Sequence, residues 1–130
     1  VGTDGSIRNS GSIISDGLLA ISHAGGQDGV LTVTNQTSGV IMGGSGISSD
    51  GTVNLFNLGT IQATVSAGGF AVNGNVVNVT NSGSIVGAIG ILSLNTATTT
   101  NSGTITGTGG TAIKLTNAAD TLTLLPGSKI

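Results

Sequence analysis

Cysteine, tryptophan and tyrosine are absent from this 130-residue chain, and only 6% of its residues are charged. Without cysteine the chain has no disulfide, no thiolate nucleophile and no zinc–thiolate site. Phe56 and Phe70 are its only aromatic residues, and it has three basic residues and five acidic ones. Since phosphate binding needs clustered Lys or Arg, and single-stranded bases stack on aromatic rings, we expect no nucleic-acid partner.

Long apolar runs are also missing. None approaches the roughly 20 residues that a membrane-spanning helix needs, so we expect no direct membrane insertion. Gly contributes 24 residues, and Gly, Asn, Ser and Thr together form just over half of the chain. Disordered chains are usually rich in charge and poor in aliphatic residues, whereas aliphatic residues recur here in short alternating runs. The composition therefore predicts a folded, β-rich protein.

The chain does contain a repeat. The pentapeptide Asn-Ser-Gly-Ser-Ile at residues 9–13 returns unchanged at 81–85, with small changes at 57–61 and 101–105, and more loosely at 37–41 and 126–130. The final isoleucines are 28, 20, 24, 20 and 25 residues apart. Repeats of this length are typical of stacked supersecondary units, none of which can bury its apolar face alone.

Three short strands are predicted in each repeat. An alternating stretch precedes the pentapeptide, a second strand begins at its Ser-Ile or Thr-Ile, and a third apolar stretch follows a glycine-rich link. This pattern predicts an all-β parallel β-helix of about five to six coils of 20–28 residues, and the coil length favours a right-handed helix. We predict one β-solenoid module over residues 1–130, and we interpret it as a fragment of a longer repeat protein. The longest interval predicts its most protruding loop at residues 23–29.

Two sets of side chains are predicted to hold successive coils together. Stacked coils place the Asn of each pentapeptide above the next, where their amides can form a ladder. The following Gly is expected to turn the corner with a positive φ, and the Ile is expected to point into the core. The predicted ladder and core residues are Asn35, Asn57, Asn81 and Asn101, with Ile13, Ile41, Ile61, Ile85 and Ile105.

Outward-facing residues of the strand before the pentapeptide form a candidate contact face. They are Thr32, Asn54, Asn78, Thr98 and Thr123. Solvent-facing strand residues are the simplest interpretation of this set. Ice binding, a carbohydrate-contacting face and a self-association face are the alternatives.

Candidate chemistry is sparse. Four of the five Asp residues precede Gly, a common turn pair, and the single histidine, His23, is expected in a loop. We therefore predict no enzyme activity and no catalytic, cofactor-binding or metal site. A polysaccharide-acting enzyme remains the alternative, and it requires Asp16, Asp28 or Asp50 to cluster with a basic residue in a groove.

Three features of the sequence resemble a known family. They are the pentapeptides, Gly109-Gly110-Thr111-Ala112-Ile113 and the more specific segment from Ala118 to Ile130. With these motifs the whole chain resembles the passenger region of Gram-negative autotransporters. The resemblance implies a secreted β-helix displayed outside the cell by a separate outer-membrane anchor. It also implies a role in adhesion, autoaggregation or biofilm formation, with host-surface or matrix glycans or proteins as possible partners.

The two ends of the predicted solenoid expose unpaired strand edges. Natural sheets blunt such edges with charge, proline or a covering element, and Pro126 is the only proline here. The expected partners are therefore neighbouring coils of a longer chain or other copies of this chain. End-to-end stacking into an extracellular filament is the alternative function.

Overall fold

The computed structural model describes residues 2–130, and in that range it contains twelve strands and no helix. It therefore has no helix that could cross a membrane within those residues. The strands are β1 (Gly5–Asn9), β2 (Ser12–Ile14), β3 (Leu19–His23), β4 (Val30–Asn35), β5 (Val40–Gly43), β6 (Ser45–Ser49), β7 (Thr52–Asn57), β8 (Thr60–Ala63), β9 (Phe70–Asn81), β10 (Ser84–Asn101), β11 (Thr104–Lys114) and β12 (Thr121–Leu124).

The strands form three faces around a common core. The first face consists of β1, β4, β7, residues 76–81, residues 96–101 and β12, and every neighbouring pair is parallel. The second face consists of β2, β5, β8, residues 84–87 and residues 104–107. The third face consists of β3, β6, residues 70–74, 89–93 and 111–114.

This pairing confirms the predicted all-β solenoid, with about five stacked turns. Each strand aligns with the strand one coil away, as Val33 does with Leu55 and Ile41 with Ile61. The period-two pattern buries alternate residues, so the aliphatic side chains of all three faces meet in one continuous column. The right-handed form stays a prediction.

Corners between faces differ in length from coil to coil. Gly44 alone separates β5 from β6, and β10 passes through all three faces without a break. Two of the glycine-rich links between predicted strands, at residues 43–46 and 107–110, therefore lie largely within strands. Six-residue loops occur at 24–29, 64–69 and 115–120, so the first of them is no longer than the others. It is also held in place, because the Thr3 N–H donates to the Gly25 carbonyl over 3.0 Å.

Candidate functional site

The asparagines of the pentapeptide form a buried ladder of side-chain amides along the first face. Asn35 donates through Nδ2 to Asn57 Oδ1 over 2.9 Å, Asn57 donates to Asn81 over 2.8 Å, and Asn81 donates to Asn101 over 2.8 Å. Asn9 is a further rung, donating to Asn35 over 2.9 Å. We omitted Asn9 from the predicted ladder, although it opens the first pentapeptide. Every donor points toward the later coil.

Each ladder amide also satisfies backbone carbonyls at the corner. Asn57 Nδ2 lies 3.1 Å from the carbonyl oxygen of Gly59 and 3.2 Å from that of Ser84 in the next coil. The same pattern ends at Asn101, whose Nδ2 lies 3.3 Å from the Lys129 carbonyl oxygen. Beyond Asn101, Leu124 occupies the aligned position of the first face. The ladder therefore stops at a leucine.

The glycines Gly39, Gly59, Gly83 and Gly103 are required by close packing and not by a positive φ, which corrects our expectation for these four. Positive φ values occur only at Gly26, Gly68, Gly110 and Gly127 within residues 2–130. A Cβ at Gly83 would overlap the Gly59 carbonyl oxygen and would lie 2.7 Å from the Leu58 carbonyl carbon. The coil below leaves no room for a side chain there.

The predicted inward isoleucines align in one column of the second face. Ile41, Ile61, Ile85 and Ile105 are fully buried, and Ile13 in the first coil is partly buried. Strand pairing aligns each isoleucine with the one in the next coil, in the order Ile13, Ile41, Ile61, Ile85 and Ile105. Ile13 is more exposed because β2 has a neighbour on one side only.

Four members of the candidate contact face share one column, and the fifth does not. Thr32, Asn54, Asn78 and Thr98 are aligned, and Asn78 Nδ2 donates to Asn54 Oδ1 over 2.9 Å. Thr98 aligns with Thr121, whereas Thr123 aligns with Thr100 in the adjacent outward column. The last coil is thus shifted by two residues from the register that we expected. This shift keeps Thr123 on the same face.

One inward column of the first face contains a polar side chain without a partner. The column is Ile7, Val33, Leu55, Val79, Thr99 and Leu122. Thr99 is only 1% exposed, and within residues 2–130 its hydroxyl has no hydrogen-bond partner. A buried hydroxyl without a partner opposes folding because it loses its hydrogen bonds to water.

Replacing Thr99 with Val is therefore expected to stabilise the protein by about 1 kcal/mol, since valine has nearly the same shape and no polar atom. The measurement is urea unfolding followed by far-ultraviolet circular dichroism, because the chain has neither Trp nor Tyr for fluorescence. Thr98→Val is the control, as Thr98 is exposed on the neighbouring outward position. A loss of stability in Thr99→Val would show that the hydroxyl has a partner in solution.

Aspartates join backbone groups of adjacent coils where the third face turns into the first. Asp4 Oδ1 accepts from the Val30 N–H over 2.9 Å, and Asp50 Oδ1 accepts from the Gly26 N–H over 3.0 Å. Asp16 and Asp28 are exposed. Within residues 2–130, no three Asp or His side chains lie close enough together to hold a metal ion.

Asp120 makes the most extensive of these contacts. Its carboxylate accepts from the N–H groups of Asn117 at 2.8 Å, Ala97 at 2.6 Å and Thr116 at 2.7 Å. These bonds, with Asn117 contributing most, hold the pKa of Asp120 below its ordinary value of 3.8. Because the folded-state pKa is lowered, the carboxylate stabilises the fold above about pH 4, and this contribution is lost as pH falls through the lowered pKa.

His23 lies at the end of strand β3 and not in a loop, contrary to our expectation. Its Nδ1 shares a hydrogen bond of 3.0 Å with Ser49 Oγ in the next coil. A Cβ at Gly25 would overlap the ring, so the ring packs closely against the corner loop. The His23 side chain therefore joins the first coil to the second.

Residues 2–130 form at least two recesses on the surface. One, of about 680 Å³, lies between the first two coils and is lined by Arg8, Ser10, Gln36, Thr37 and Ser38. The other, of about 340 Å³, includes Leu18, Leu19, Gly44, Val65 and Phe70 in its lining, and we call it the apolar notch. Spacing within a single repeat gives no signal for the notch, because it is formed by three successive coils.

The chain matches no protein-family model, no curated protein and no solved structure. The comparisons therefore supply no link to autotransporter passengers, and that resemblance stays a prediction based on the sequence motifs.

Proposed function

We propose that this chain is a rigid scaffold segment of an exported, adhesive surface protein. Its core is held by backbone pairing on three faces and by the asparagine ladder, both of which run along the solenoid axis. Each coil of such a stack contacts only its neighbouring coils, so coils can be added without changing the interior of the stack. The proposal gives the chain a spacer and display role and no catalytic role.

The observation that carries the scaffold role is the open space at Gly11. The equivalent glycines Gly59, Gly83 and Gly103 lack room for a Cβ because of the coil before them, and Gly39 lacks room because of Asn35 in its own coil and the Asn9 carbonyl oxygen in the coil before. At Gly11 no atom of residues 2–130 outside its immediate chain neighbours lies within 4 Å of a Cβ position. A glycine at this site is required only if another coil covers the first one. We infer that a further β-solenoid coil packs there.

The ladder supports a partner coil that carries its own asparagine. Asn9 Oδ1 accepts from the Gly11 N–H over 3.2 Å and faces the open side of the first coil. An Asn amide from a covering coil would extend the ladder with the same donor direction. A copy of this chain stacked end to end would instead bring Leu124 toward Asn9, so the geometry favours a continuing coil over a self-stacked filament.

The adhesive role rests on the resemblance to autotransporter passengers, which implies a location outside the cell or on its surface. Its partners would be identical molecules or host-surface or matrix components. The experiment is to display the chain on a non-adherent bacterium and to measure cell clumping and attachment to matrix-coated plates.

Cells that display the folded chain are expected to clump or attach more than cells displaying Gly83→Ala, a variant that disrupts coil stacking. Equal surface amounts must be verified with an epitope tag. If folded chain and vector control give the same clumping and the same attachment, the adhesive proposal is wrong.

A further inference from the structure

An apolar knob projects from the first face, where the last two outward strand residues of each adjacent coil are threonine or asparagine. Phe56 is 57% exposed, and its column neighbours in the adjacent coils are Thr34 and Thr80. Leu58, the next outward residue, is also exposed. We call Phe56 and Leu58 the apolar knob. One of the two aromatic residues of the chain is thus largely exposed to water, although threonine occupies the same position in the coils on both sides.

The apolar notch owes its shape to unequal corners between the second and third faces. The second coil turns with Gly44 alone, whereas the first coil uses residues 15–18 and the third uses the loop 64–69. The longer corners form walls that include Leu18 and Val65 above a glycine floor. A Cβ at Gly44 would lie 2.9 Å from the Leu18 carbonyl oxygen, so the floor cannot be raised without displacing that wall.

The notch is large enough for the knob and has the same apolar chemistry. A cavity of about 150 Å³ lined by aliphatic and aromatic residues holds a benzene ring, and the notch measures about 340 Å³. Neither the knob nor the lining of the notch contains a charged residue. Insertion of the Phe56 ring would therefore remove apolar surface from water on both sides and leave no buried charge without a partner.

The two features cannot meet within one molecule. Three faces form each turn, so the corner between the second and third faces lies on the opposite side of the solenoid from the first face. We propose that the knob of one copy inserts into the notch of a second copy. Because the joined surfaces differ and lie on opposite sides, the contact is heterologous and leaves a free knob and a free notch for further copies. This proposal rests on the self-associating form of the proposed function.

A single contact of this kind is weak. An aromatic side chain buries about 150–250 Å², far below the roughly 1,200–2,000 Å² of a stable interface. Association is therefore expected at high protein concentration, or where many copies are displayed on one surface and the contacts act together. Side-by-side arrays of solenoids follow from such contacts.

The test uses two variants and their mixture in sedimentation velocity. Phe56→Thr removes the aromatic ring of the knob and introduces the threonine of the adjacent coils, while Leu18→Glu places a charge on a notch wall whose leucine is 82% exposed. The unaltered chain should form oligomers that grow with concentration. Each variant alone should associate at least about tenfold more weakly than the unaltered chain. An equimolar mixture should give 1:1 dimers and nothing larger, because it contains one intact knob and one intact notch.

Leu94→Glu is the matched control, since Leu94 is 64% exposed and lies outside both features. It should associate like the unaltered chain. Unchanged association of Phe56→Thr, or a mixture that stays monomeric, would overturn the knob-and-notch contact. If that happens while displayed cells still attach to matrix, the adhesive proposal stands and only this contact is wrong.

Discussion

Replacing Asn57 with Asp is expected to lower the free energy of unfolding at neutral pH by about 4 kcal/mol. Asn57 is 1% exposed, and its Nδ2 lies within hydrogen-bond distance of three acceptors: Asn81 Oδ1 and the carbonyl oxygens of Gly59 and Ser84. A carboxylate has no donor, so it would place a buried negative charge against these oxygens. Domains are stable by about 5–15 kcal/mol, so the loss is a large fraction of the total.

The same substitution makes stability depend on pH in a defined direction. Burial and the surrounding acceptors should raise the pKa of the introduced carboxyl above its unfolded value of about 3.9. The variant is then most destabilised above the raised pKa. It regains stability as pH falls toward the unfolded value, because the protonated carboxyl can donate to Asn81 Oδ1. Urea unfolding followed by circular dichroism at several pH values measures this change.

Asn54→Asp is the matched control on the outward side of the same strand. Asn54 uses its Oδ1 as an acceptor from Asn78, and an aspartate keeps that acceptor. Its stability should change by no more than about 0.5 kcal/mol. Equal losses in the two variants would contradict the assignment of donor direction along the buried ladder.

Gly83→Ala is expected to destabilise the protein by about 3 kcal/mol. The added methyl group would overlap the Gly59 carbonyl oxygen, which also accepts a 2.8 Å bond from the Ser84 N–H. Neither partner is a movable side chain. The two coils must therefore separate at this corner, which weakens the backbone pairing and the ladder bonds beside it. Thermal and urea unfolding provide the measurement.

Gly11→Ala is the comparison that isolates the effect of the neighbouring coil. Gly11 occupies the same place in the pentapeptide, but in the described part of the chain no atom beyond its immediate chain neighbours lies within 4 Å of its Cβ position. The substitution should leave stability unchanged or raise it by up to about 1 kcal/mol, because alanine restricts the unfolded chain. If both glycine variants lose the same stability, backbone conformation and not coil stacking explains these glycines.

The coil architecture could be predicted because one-dimensional stacking repeats the same local signals. The alternation of apolar and polar residues predicted the strands. The spacing of Asn57, Asn81 and Asn101 predicted that they lie one coil apart, and the structure joins them through their amides. The isoleucine column follows from the same spacing. The asparagine ladder and the isoleucine column both depend on contacts between neighbouring repeats, so the repeat period predicts which residues align.

Features that depend on comparing unequal coils could not be predicted. Thr123 was assigned by alternation alone, but its register follows the strand pairing of the last coil, which shifts by two residues. The corner glycines were explained by backbone conformation because a sequence does not show how closely the next coil approaches. The apolar notch combines corners from three coils, and no single repeat contains its pattern.

Leu124, which follows Asn101 in the ladder column, also restricts where its own coil can dock. The pentapeptides are so alike that one coil could, during folding, dock on a neighbour out of sequence. A coil with Leu124 in an interior place would leave a ladder amide on one side and an amide oxygen on the other without a partner. The leucine-bearing coil therefore fits only at the outer side of Asn101. One apolar residue thus keeps its coil from taking a place between two asparagine rungs.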